Sequence, residues 1–96
     1  MDTNKTKVIF RRFHNGDIIA LFPELPGTMD PGTCLSYEHT GQHGAASISL
    51  VEVYPLATPA EYRDLQSELA GLGYNLHIMK RFNRAHLATR RASLNF

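Results

Sequence analysis

Three local signals predict an α+β domain, an antiparallel sheet carrying one helix. Asn15-Gly16 separates two apolar runs, residues 7–13 and 17–22, and Asn-Gly between such runs is the strongest short hairpin pattern. Thr58-Pro59-Ala60-Glu61 has the residue types of a helix start, and Tyr62, Leu65, Leu69 and Leu72 follow as an apolar stripe. Residues 74–82 then alternate as a strand does. The expected order is β-β-β-β-α-β, with four to five antiparallel strands, the helix on one face and a basic C-terminal tail.

Each element has its own warrant. In the first strand Val8, Phe10 and Arg12 share one face, and Ile9, Arg11 and Phe13 the other. Asn15 and Gly16 both tolerate positive φ, which predicts a type I′ turn. Residues 23–32 hold three prolines and two glycines, so they form a loop with a tight turn at Asp30-Pro31-Gly32. Residues 33–39 resume an extended pattern that Gly41 and Gly44 break, and residues 47–54 read as a fourth strand. Gly71 and Gly73 supply the helix exit. The stripe at Leu65, Leu69 and Leu72 covers one sheet face. One helix cannot cover both, so the other face is expected to be polar or to meet a partner. Residues 1–82 form a single domain, and residues 83–96 a basic extension, either a short helix capped by Asn83 or disordered.

Composition narrows the function classes. With 96 residues, 43% hydrophobic and 20% charged, the chain has the profile of one globular domain with a modest core. No apolar stretch approaches the roughly 20 residues that span a bilayer, and residues 1–7 lack the apolar centre of a signal peptide. A single cysteine, Cys34, allows no internal disulfide, and a cytoplasmic protein is expected. The net charge of +1 conceals a sorted distribution: +2 over residues 1–22, −6 over 23–79 and +5 over 80–96.

Two stretches, Cys34-Leu35-Ser36-Tyr37-Glu38-His39-Thr40-Gly41-Gln42-His43-Gly44 and Ala57-Thr58-Pro59-Ala60-Glu61-Tyr62 leading to Leu72-Gly73-Tyr74, resemble small uncharacterised proteins of bacterial, plasmid and bacteriophage genomes. Residues 8–13 and 17–23 agree, so the likeness covers about residues 7–82. It implies no particular activity, and at most an accessory role in a mobile element.

The segment from Cys34 to Gly44 is the densest set of chemically capable side chains. Tyr37, His39, Gln42 and His43 are the candidate recognition patch, with Tyr37 and His39 on one strand face and Gln42 and His43 in the turn. His39 and His43 have a metal-pair spacing only on a helix, which Gly41 and Gly44 oppose, and no CxxC or HExxH pattern is present. Cys34 with a histidine base would be a nucleophile pair, but a lone cysteine opening a strand reads better as a small buried hydrophobe. No metal, cofactor or catalytic residue is expected. The leading expectation is a non-catalytic binding module acting through an exposed sheet face and the turn at Tyr37–His43, with a protein partner or a second copy of itself. The alternative is nucleic-acid binding by Arg11, Arg12, Lys80, Arg81, Arg84, Arg90 and Arg91, each able to contact a phosphate. A small metal or Cys/His enzyme is the third reading.

Overall fold

A computed structural model describes residues 5–29, 32–38, 42–47, 49–81 and Thr89. It has an α+β fold whose elements are β1 (Thr6–Arg12), β2 (Ile18–Phe22), β3 (Thr33–Glu38), β4 (Gln42–Ser47), a short α1 (Leu50–Val53), α2 (Pro59–Gly71) and β5 (Leu76–Met79). The five strands form one sheet in the order β4-β3-β2-β1-β5. The predicted wholly antiparallel sheet is corrected to a mixed one: β5 lies parallel to β1, with Thr6 beside Leu76 and Ile9 beside Met79. The reason is the route of the chain. The first four strands alternate in direction as successive antiparallel neighbours. Helix α2 then returns the chain to the Thr6 end of β1, where Thr6 N donates to Asn75 O at 2.7 Å, so β5 leaves in the direction of β1.

The β1–β2 hairpin forms, with a different turn from the one expected. No described non-glycine residue has positive φ, so a type I′ turn is excluded. Gly16 N donates to Phe13 O at 3.0 Å, Phe13 N donates to Asp17 O at 2.8 Å, and Gly16 alone has positive φ, +94°. This is the three-residue loop in which a type I turn ends in a glycine bulge. Asn15 contributes through its side chain, whose Oδ1 accepts from Asp17 N at 3.0 Å.

The predicted fourth strand over 47–54 is also corrected. Residues 42–47 make that strand, pairing with β3 without interruption from Thr33–Ser47 to Glu38–Gln42. Ser49 N donates to Ser47 Oγ at 3.3 Å, a local bond that competes with the sheet ladder, and the chain turns into α1. Residues 54–57 then run beside the free half of β1: Arg12 N donates to Pro55 O and Ala57 N to Phe10 O, both at 3.0 Å. Arg11 sits where this segment meets the end of β5, donating to Tyr54 O at 3.0 Å and Lys80 O at 3.4 Å.

Helix α2 begins as the sequence dictates. Thr58 accepts from Glu61 N, Glu61 reaches back to Thr58 N, and Pro59 fills the first helical position. At the other end Gly73, φ +105°, takes the left-handed position, with Gly73 N donating to Ala70 O at 3.1 Å and Tyr74 N to Leu69 O at 3.2 Å, the Schellman pattern. Leu65 and Leu69 are fully buried against Val8, Phe10, Ile18, Ala20, Phe22 and Tyr37, and Tyr62 stacks on Phe10 at 4.4 Å. Leu72, expected in that stripe, is 56% exposed because the helix has ended beneath it.

The face away from α2 is not the free docking surface expected. Ile9, Ile19, Leu21 and Cys34 are each at most 3% exposed there, and Phe13 and Leu50 pack against this second cluster. All five residues of β2 are buried, so the strand is apolar on both sides and both faces become core. Among the described residues no helix is long and apolar enough to cross a membrane. The Asp30-Pro31 turn and nearly all of the C-terminal extension lie outside the described residues.

Candidate functional site

The β3–β4 hairpin gathers part of the predicted patch. Its register sets Tyr37 opposite His43 and Glu38 opposite Gln42. Tyr37 and His43 therefore share the α2 side of the sheet across neighbouring strands. Their rings meet edge to face at 4.8 Å. Tyr37 is buried, and its hydroxyl donates to Glu68 Oε2 on α2. His43 is exposed, and its Nε2 shares a 2.7 Å hydrogen bond with the Tyr74 hydroxyl. Tyr74 stacks in turn on Phe22 at 5.1 Å.

Local structure explains each placement. Glu68 lies beside Leu69 and one turn beyond Leu65, the two helix residues that face the sheet, so its carboxylate reaches the rim of that contact. The left-handed turn at Gly73 drops the chain from α2 towards β5 and carries Tyr74 to His43. The result has two layers: a phenol–carboxylate pair inside, and an imidazole–phenol pair at the surface. Beside the outer pair is a cleft of about 310 Å³ lined by His43, Leu72, Gly73 and Tyr74. It offers donor and acceptor atoms next to an exposed leucine.

One phenol of each layer has a raised pKa. The hydrogen bond to Glu68, then burial, then the nearby carboxylate raise the Tyr37 pKa above the ordinary tyrosine value, and burial raises that of Tyr74. Phenols whose folded pKa is raised hold their stabilising contribution in full below the unfolded value near 10, and lose it as pH climbs through the folded values. Ultraviolet titration should therefore show Tyr37 and Tyr74 ionising above the ordinary tyrosine range, with the melting temperature falling over the same alkaline range. Tyr37→Phe should remove one late step and lower the melting temperature at neutral pH. A titration unchanged by Tyr37→Phe at its alkaline end would contradict the geometry.

Other predicted residues are placed differently. His39 lies outside the described residues, and Gln42 is placed by its backbone alone. Cys34 is fully buried on the opposite sheet face from His43, so these two do not form a nucleophile pair. Among the described residues no three His, Cys, Asp or Glu side chains converge on a metal-sized site. Arg11 is committed to two backbone carbonyls, with its Nε buried and unbonded; burial lowers its pKa. Arg12 pairs with Glu61 at 2.8 Å. That carboxyl is held below its usual range, first by the hydrogen bond from the Thr58 backbone, then by Arg12. Lys80 and Arg81 are exposed, while Arg84, Arg90 and Arg91 lie outside the described residues. Sequence reasoning missed Glu68, Leu72 and Tyr74 as site residues. The usable signal was the hairpin register, which points His43 towards the end of the helix.

No protein-family model, curated protein or solved structure matches this chain.

Proposed function

We propose that the protein is a non-catalytic interaction module that docks a protein partner on the surface formed by His43, Leu72 and Tyr74. The observation that carries this reading is the exposed His43–Tyr74 hydrogen bond beside Leu72, braced from below by Tyr37 and Glu68. A tyrosine ring held by fixed polar atoms beside exposed apolar surface matches the energetically dominant part of protein interfaces, where tyrosine is enriched. The surface is also braced by packing, so little side-chain freedom remains to be lost on docking. An accessory role in a mobile element is the setting that the sequence resemblance suggests, and the single cysteine fits a cytoplasmic one. Nucleic-acid binding has less support: Arg11 and Arg12 are engaged within the fold, which leaves Lys80 and Arg81 as the exposed members of that set among the described residues.

Site-specific photocrosslinking in cells tests the proposal. A photoreactive residue replacing Leu72 should give one discrete protein adduct that disappears with His43→Ala, while the same probe at exposed Asp64 should give none. Indistinguishable adduct patterns from the two positions would rule the surface out.

A further inference from the structure

Strand β4 is one of the two sheet edges, and no described strand pairs with its outer side: His43, Gly44, Ala45 and Ser47 are all exposed. Protein sheets usually blunt such an edge with lysine, proline or a bulge, because its outward N–H and C=O groups are a template for another strand. Residues 42–47, Gln-His-Gly-Ala-Ala-Ser, contain no lysine, acid or proline. Their pairing with β3 runs through six consecutive residue pairs without a bulge. The opposite edge differs. On β5 the residues Leu76, Ile78 and Met79 are only half exposed, and Lys80 and Arg81 follow at once.

We propose that β4 pairs antiparallel with β4 of a second copy of this chain, so that the two sheets run on as one. This rests on the interaction-module reading above and adds a partner on the strand next to its surface. A strand that pairs with its own reversed copy must be compatible with itself about a two-fold axis. An axis beside Ala45 sets Gly44 against Ala46 and His43 against Ser47 of the second copy. Across residues 43–47 no two acids or two bases are then opposed, and His43, the largest of them, meets a serine. Alternation is preserved, since residues 43, 45 and 47 keep to the α2 side in both copies. A foreign strand would need an equally small and neutral edge of its own, a condition that β4 meets by symmetry.

Sedimentation equilibrium of the whole chain across a concentration series reads the outcome. The expected mass is twice 10.8 kDa. Gly44 is the place to break it. Its φ is not left-handed, and a Cβ there would meet only Ser36 Oγ, at 3.5 Å, so the fold accepts a side chain. Gly44→Lys should weaken the dimer by about tenfold or more through like charges across the axis, and Gly44→Glu should do the same. Mixing these two variants should restore it, and Gly44→Ala should leave it intact. A monomeric wild-type chain at every concentration would overturn the proposal. So would a Gly44→Lys dimer as tight as wild type with unchanged circular dichroism. A monomer whose position 72 still crosslinks one other protein would remove only the self-pairing. A dimer without any specific adduct at position 72 would instead remove the docking surface and leave the strand pairing standing.

Discussion

Phe22→Ala should lower the unfolding free energy by about 4 kcal/mol, the cost of deleting a buried ring and leaving a cavity. Phe22 is fully buried at the end of β2, within the cluster that includes Leu65 and Leu69. Its ring also supports Tyr74, stacked at 5.1 Å and 18°. For a domain of this size the loss corresponds to roughly 20 °C in melting temperature, and it is a large part of the whole stability of an ordinary domain. Phe22→Leu keeps most of the volume and should lose under about half as much. Urea unfolding followed by circular dichroism checks both. A loss below about 1 kcal/mol for the alanine variant would mean that the cluster does not organise the fold. Because Tyr74 would lose its support, the His43–Tyr74 bond should loosen in the same variant even where the chain remains folded, visible as altered ring resonances of His43.

Gly27→Ala is the second large effect, and its mechanism is opposite. The loop after β2 folds back across the neighbouring hairpin, where Leu35 N donates to Leu25 O at 2.9 Å. A Cβ on Gly27 would lie 2.5 Å from Cys34 O and 2.8 Å from both Cys34 C and Ala45 Cβ. Two of these atoms are backbone in a paired strand and cannot swing aside. The loop or the hairpin must shift, at a cost of about 3 kcal/mol. Gly71 is the matched control, since an added Cβ there meets nothing within 4 Å and its φ is not left-handed. Gly71→Ala should be neutral or slightly stabilising. Equal melting temperatures for the Gly27 and Gly71 variants would refute the close approach.

How much of this was legible in the sequence follows from the range of each interaction. Helix α2 was readable at both ends because Thr58, Pro59, Glu61 and Gly73 act on their own neighbours. The β1–β2 hairpin was readable in existence but not in turn type. Asn15 and Gly16 suit several turns, and Asn15 here works through its side chain rather than through positive φ. The β3–β4 hairpin is not legible in the sequence because Gly44 reads as a strand breaker, whereas an edge strand tolerates glycine where no side chain is needed for packing. Without that register the sequence groups Tyr37 and His43 in one patch but does not set them opposite each other, and it does not reach Glu68 or Tyr74. The second sheet face was a missed signal: residues 18–22 are apolar at both parities, the mark of a strand buried on two sides.

The parallel match of β1 with β5 also constrains how the polypeptide reaches its final form. While it is being translated, β1 can pair with β2 early and with residues 54–57 next, but the outer side of its Thr6–Ile9 half stays unsatisfied until the segment around Leu76–Met79 has emerged and α2 has swung it into place. In that interval the apolar pair Val8-Ile9 has an available flank, a hazard for unwanted association between nascent chains. Closure is a late, long-loop event, and such contacts slow assembly more than they weaken the finished product. Premature termination upstream of residue 76 should therefore yield aggregates rather than a smaller folded protein.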